Sequence, residues 1–174
     1  MPNRNYIVLT HDAYLRCSIE SLMETRYLDK TLCFCDVDTF SSLDELSRAI
    51  ESNCDDVRVI IISRGLWISR VLGSLVDLEM TDDFNKWRFC INKGRKNYSA
   101  KIIEKLHGIK RLNTLTRREL DVFHLLQLTT TINDAAKLAN REVKFFQATT
   151  ISIARKYNLR NSNELHFFIR KFTL

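Results

Sequence analysis

Proline and glycine are scarce in this 174-residue chain, with one proline and four glycines. That scarcity excludes collagen-like repeats and low-complexity linkers, which draw on both. Long apolar runs are missing as well. No stretch approaches the ~18 residues that a membrane-crossing helix needs. The opening Met1-Pro2-Asn3-Arg4-Asn5 carries one basic residue before a short strand-like run, unlike a secretory leader. The expected setting is the cytoplasm, with no membrane partner. The five cysteines are odd in number, and a single residue separates Cys33 from Cys35. Neither a disulfide framework nor zinc-ligand spacing results, and the thiols in apolar runs read as small buried hydrophobes. A Gly-rich phosphate loop, a metal-ligand cluster and a nucleophile-base arrangement are also lacking, so neither catalysis nor a cofactor is expected. His107, His124 and His166 stand isolated along the chain.

What is present is an uneven distribution of charge. Residues 1–107 hold 15 Lys/Arg against 16 Asp/Glu, a net of −1, whereas residues 108–174 hold 12 against 5, a net of +7. With 45% hydrophobic residues the chain can bury two small cores. A neutral front and a basic back imply two modules, the second facing something anionic.

The front alternates strand-like and helix-like runs. Tyr6 to Thr10, Thr31 to Val37 and Val57 to Ile62 are apolar and rich in β-branched residues. Ala13 to Thr25 has helical spacing, and Ser41 or Ser42 with Glu45 can cap a helix carrying Leu43, Leu46 and Ile50. Trp67 to Leu78 reads as helix, Thr81-Asp82-Asp83 as a break, Trp87 to Ile91 as a fourth strand and Ser99 to His107 as a closing helix. This alternation predicts an α/β domain over 1–107, a parallel sheet flanked by helices. Gly108 to Asn113 is the expected linker, and 114–174 the second domain.

There the pattern is purely helical. Thr116-Arg117-Arg118-Glu119 is a capping box ahead of Leu120, Val122, Phe123, Leu125 and Leu126. Thr129-Thr130-Thr131 interrupts, Ile132 to Leu138 forms a short helix, Asn140 can cap a third helix reaching Tyr157, and Asn158 fits a left-handed helix end. Asn161-Ser162 opens a fourth, with Leu165, Phe168, Ile169 and Phe172. Long helix, short helix, tight turn, long helix is the order a helix-turn-helix requires. On the third helix Phe146, Ile153 and Tyr157 are spaced to pack inward, with Thr150 between them. Lys144, Gln147, Ala148, Ile151 and Arg155 fall on another face, where small or hydrogen-bonding side chains suit a major groove. Arg141, Arg155, Lys156 and Arg160 are placed to reach phosphates.

Leu115-Thr116-Arg117-Arg118-Glu119-Leu120 resembles the opening signature of the LuxR/FixJ-type (GerE-like) DNA-binding domain, and Ala136, Lys144, Ile153, Lys156, Asn161 and Glu164-Leu165 continue it in register over about 60 residues. The resemblance implies a four-helix domain with base-reading slots at Gln147, Ala148 and Ile151 and phosphate-facing slots at Lys144, Arg155 and Lys156. Phe145-Phe146 replaces the usual Thr-Val pair, and Thr129 and Asn158 stand at usual glycines.

The front is similar to a response-regulator receiver short of one strand-helix unit. The whole resembles small enterobacterial regulators of the RcsA and EcpR kind. Receiver slots fall on Asp12, Asp36, Ser63 and Lys93, with His11 in place of one Mg²⁺ carboxylate. In a second alignment Val57 to Ile62 is the acceptor strand, and Ser63-Arg64 follows it with no acid. A degenerate receiver implies protein-protein contact in place of phosphorylation, with Leu66, Trp67 and Trp87 as anchors or core residues. Expected partners are double-stranded DNA, a second copy or a related LuxR-type regulator, and RNA polymerase. The alternative is an interaction protein that sequesters such a regulator without binding DNA.

Overall fold

The computed structural model describes residues 5–24, 30–94 and 97–172. The chain divides into two compact units, Met1–Leu106 and His107–Leu174. The expected helix end at Thr25 and the side chain of Phe172 lie outside the described residues.

In the first unit β1 (Tyr6–Leu9), β2 (Leu32–Asp36), β3 (Arg58–Ser63) and β4 (Leu78–Glu79) form one parallel sheet in the order β1-β2-β3-β4. Strands β2 and β3 are buried almost throughout, which is why both are continuous apolar runs. Side chains alternate across the sheet. Leu32 and Phe34 join Val8, Ile60 and Ile62 in a core completed by Leu15, Ile19 and Met23 of α1 (Ala13–Glu24) and by Cys90 and Ile91 of α4 (Phe84–Lys93). Each such fully buried side chain contributes roughly 1.5–3 kcal/mol. Cys33 takes the opposite face, where its thiol meets that of Cys54 at the end of α2 (Leu43–Asn53). Helices therefore cover both faces.

A doubly wound sheet of the flavodoxin type runs 2-1-3-4-5. The order here is that arrangement without its outer second strand. Strand β2 then occupies the third place, with Asp36 at its end, and Ser63 ends the next strand.

Two expectations fail in this unit. The helix predicted from Trp67 stops at Leu72 (α3, Trp67–Leu72), because Gly73 adopts φ 54 and Val76 is extended. The chain then enters β4, and Leu78 pairs with Ile62. Trp87 to Ile91 is not a strand but lies within α4, capped by Asp83, whose side chain accepts from the Lys86 N–H. Its buried residues Cys90 and Ile91 follow Trp87 at three and four positions, a helical spacing hidden by the exposed Phe84 and Phe89. The fourth strand is β4 instead.

Helix α5 (Ser99–Lys110) continues through Gly108, so the linker expected from 108 begins inside a helix. The turn follows, with Leu112 at φ 54. Four helices complete the second unit: α6 (Arg117–Leu128), α7 (Ile132–Leu138), α8 (Val143–Lys156) and α9 (Ser162–Phe172). Helix α8 packs against each of the other three. Phe123, Phe146, Ile153 and Phe168 are fully buried between them, and the Phe123 and Phe168 rings meet edge to face at 6.2 Å. No helix among the described residues is long and apolar enough to cross a membrane.

One carboxylate ties this unit together. The Thr116 hydroxyl caps the Glu119 N–H, and Glu119 Oε2 accepts from the Thr116 N–H at 2.8 Å, closing the predicted box. The same oxygen receives Lys156 Nζ at 2.6 Å, and Oε1 receives Ser152 Oγ at 2.7 Å, both from α8. Lys156 also donates to the Thr114 carbonyl. Burial opposes the Glu119 charge, but Lys156, Thr116 and Ser152 outweigh it and bring its pKa down to about 2. A value below the ordinary ~4.3 means that this stabilisation is present above about pH 4 and is lost as pH falls toward 2. Lys156→Met strands the buried carboxylate and should cost the second unit roughly 3 kcal/mol. Hydrogen exchange of the α6 and α8 amides measures this, and unchanged protection contradicts the role. Glu119→Gln should flatten the loss of protection between pH 5 and 2, roughly the interval between the two pKa values.

Candidate nucleic-acid interface

Helix α8 has two chemically different sides. Phe146, Thr149, Thr150, Ile153 and Ala154 are buried, and the two threonine hydroxyls are satisfied within the helix by the carbonyls of Phe145 and Gln147. Tyr157, just past the helix, is buried against Phe168. Lys144, Gln147, Ala148, Ile151 and Arg155 are all exposed. Their spacing of three and four residues forms one continuous stripe. The face holds one amide, one methyl and one half-exposed isoleucine between two cations, with Ile151 at 51% exposure.

The turns around α8 set where this stripe stands. Asn140, expected as the cap, instead adopts φ 49 in the turn that closes α7, where its N–H bonds to the Lys137 carbonyl. Glu142 takes the cap position without a side-chain cap bond. Asn158, at φ 57, ends α8 as expected. Arg141 and Arg160 are exposed at the two ends. Lys156 is the exception among the predicted phosphate contacts. Its ammonium is held by Glu119 and the Thr114 carbonyl, making it an internal strut between α6 and α8.

Sequence reasoning missed two residues here. Phe145 lies half-buried in the first turn of α8, with the Arg118 guanidinium 4.1 Å from its ring centroid and that of Arg141 5.6 Å away. The signal was available as an aromatic residue, Phe145, in a slot where the LuxR/FixJ-type domains that the sequence resembles carry threonine.

The first unit carries a separate cluster. Asp12, Asp36 and Ser63 all come to the C-terminal ends of the parallel strands, the edge at which open α/β sheets bind ligands. Asp36 is fully buried and accepts from the Thr10 hydroxyl at 3.0 Å. Arg64 closes the group. Its Nη2 lies 2.7 Å from Asp36 Oδ2 and 2.8 Å from Asp12 Oδ2, and its Nε donates to Asp36 at 3.0 Å. Bonding to Asp36 and then Asp12 pushes the Arg64 pKa up. The Arg64 hydrogen bond, followed by the backbone N–H of Leu15, lowers that of Asp12. The Arg64 backbone is fixed as well, because Asp38 accepts from the N–H groups of Arg64, Leu66 and Ser69. Ser63 Oγ is turned to the Gly65 N–H.

Lys93 does not join this cluster. It occupies the last turn of α4, not a strand end, and the buried carboxylate takes Arg64 as its counter-ion. The cluster fits a divalent cation poorly, because a guanidinium already lies on both carboxylates and would repel a second positive charge. Among the described residues no group of three His, Cys, Asp or Glu side chains is arranged to hold a metal ion. Of the proposed contact anchors, Trp87 packs on the sheet core while Leu66 is exposed.

No protein-family profile matches the chain, and no curated protein matches it. Solved structures do. The response regulator RcsB in complex with DNA shares 18% identity over 97% of this chain and 98% of that one, with a TM-score of 0.64. RcsB from Salmonella enterica serovar Typhimurium, bound to promoter P1flhDC in the presence of phosphomimetic BeF3−, shares 16% over the same proportions, with a TM-score of 0.65. A structure of two RcsB dimers on two parallel DNAs shares 15%, again over 97% and 98%, with a TM-score of 0.64. At these identities the likeness is one of fold, and the chain has the fold of these response regulators.

Proposed function

We propose that this protein is a DNA-binding transcription regulator that acts through its second unit, laying α8 in the major groove as a helix-turn-helix of LuxR type. The observation that carries this reading is the exposed stripe Lys144, Gln147, Ala148, Ile151 and Arg155, opposite a buried face that fixes the helix. The net charge of +7 over 108–174 supports it, and so does a fold shared with proteins solved on DNA. Gln147 reads a base edge, Ala148 and Ile151 offer apolar contact to thymine methyls, and Lys144, Arg141, Arg155 and Arg160 hold phosphates. The stripe has no bidentate arginine at its centre. Affinity therefore comes mainly from the backbone, and site choice is shared with a second copy or a related regulator in a dimer. RNA polymerase is a further contact of this reading, and no catalytic step is assigned.

The first unit works in this reading without phosphorylation. Arg64 supplies internally the positive charge that a metal ion brings to a receiver's carboxylates, and Asp38 ties down the loop that carries it. The half-exposed Ile151 favours a second reading, in which the unit binds and sequesters another regulator without contacting DNA.

Binding of a labelled random-sequence duplex separates these readings. The wild type should bind at ~50 mM salt, with affinity falling steeply as salt rises. Lys144→Ala combined with Arg155→Ala should lower the slope of log affinity on log salt by about two. A double variant with the wild-type slope removes the groove assignment. For the first unit, incubation with acetyl phosphate and Mg²⁺ should leave Asp12 and Asp36 unmodified by mass spectrometry. Stoichiometric phospho-Asp36 contradicts the internal counter-ion. Arg64→Ser should lose roughly 3 kcal/mol of stability by leaving Asp36 buried and unpaired. Millimolar Mg²⁺ should raise the melting temperature of that variant and not that of the wild type.

A further inference from the structure

A cavity of about 350 Å³ lies between α6 and the beginning of α8. Two arginines line it from different elements, Arg118 in the first turn of α6 and Arg141 in the turn before α8. Both are exposed, and among the described residues neither is held in an ion pair. Their guanidinium carbons gather on one ring, 4.1 Å and 5.6 Å from the centroid of Phe145. The negative face of an aromatic ring attracts each cation, and a long side chain resting there has lost rotamer freedom before any ligand arrives.

Two guanidinium groups on one ring also repel each other. An anion seated between them removes that repulsion and gains hydrogen bonds, and the planar fork of arginine matches phosphate oxygens. Asp121, three residues along α6 from Arg118, lines the same cavity. Two cations and one carboxylate leave a net lining charge of +1. That balance suits a singly charged phosphodiester better than a multiply charged small anion. The position agrees, because Lys144 at the start of the exposed α8 stripe is three residues from Arg141.

We propose that this cavity seats one phosphodiester of the DNA backbone, gripped by Arg118 and Arg141, with Phe145 as the platform that aligns both. The inference rests on the DNA-binding reading above. It adds to that reading a second cation, Arg118 of α6, on the phosphate assigned to Arg141. It also gives a job to Phe145, whose ring both guanidinium groups approach.

The test uses the full chain and a fluorescein-labelled random-sequence duplex, with anisotropy measured over a range of KCl concentrations. Arg118→Ala and Arg141→Ala share one phosphate. The double variant should therefore lower the salt slope by about one, where two separate phosphates would lower it by about two. Phe145→Leu keeps the apolar volume and removes the π face, and should weaken binding at every salt concentration. Asp121→Asn should tighten binding at low salt, a gain that a folding defect does not produce. Double-variant binding with the wild-type slope, together with an Asp121→Asn variant of unchanged affinity, overturns the phosphate seat and leaves the α8 assignment standing. If the wild type itself does not bind the duplex at ~50 mM salt, the DNA-binding reading falls and this inference falls with it.

Discussion

The geometry of the second unit depends on where Glu119 keeps its charge. A buried ion pair is a poor stabiliser unless the remaining lone pairs are satisfied. Here both carboxylate oxygens are engaged, one by Thr116 and Lys156 and the other by Ser152. The arrangement therefore does two things with one group. It finishes the N-terminus of α6, whose orphan N–H groups need partners, and it fixes the last turn and a half of α8. The exposed stripe of α8 is a stripe only because the helix cannot rotate about its axis. A rotation of one residue, about 100°, would bring the buried Thr149 to the exposed place of Ala148, move Ala148 to that of Gln147 and turn Gln147 inward.

A related device holds the first unit. Arg64 lies between two carboxylates at the strand ends, where the sheet topology places a ligand site. In each unit one long cation anchors an acidic side chain that would otherwise be buried at a cost, and in each the cation leaves the list of groups free to meet a partner. Lys156 is withdrawn from the phosphate-facing set, and Arg64 fills a space that a metal ion would need. In the proposed reading the phosphates fall to Arg118, Arg141, Lys144, Arg155 and Arg160, all of them exposed.

Much of the fold was legible in the sequence where local rules agree with tertiary packing. The Thr116–Glu119 box, the left-handed Asn158 and the β-branched run of β3 act over a few residues, and each appears as read. Errors arose where the local signal was mixed. Trp87 to Ile91 looks like a strand because Phe89 fills the gap in a helical pattern, yet Phe89 faces solvent at 60% exposure. Gly73 cut short a helix whose apolar spacing continued beyond it. The candidate sites were legible in part. The α8 stripe follows from spacing alone. Arg64 does not, because its partners lie 28 and 52 residues earlier and only the sheet brings them together. Arg118 and Phe145 were hidden for the same reason, being 27 residues apart in the chain and in contact in space.

Contact between nucleic acid and the exposed face of α8 is read residue by residue in amide chemical shifts of the full chain. Titration of a short random-sequence duplex should perturb Lys144, Gln147, Ala148, Ile151 and Arg155, together with the turn from Asn140 to Glu142. The buried positions Phe146, Thr150 and Ile153 should shift little, and the strands of the first unit not at all. Perturbations confined to the first unit, or to faces of the second unit other than this stripe and its turn, would contradict the account.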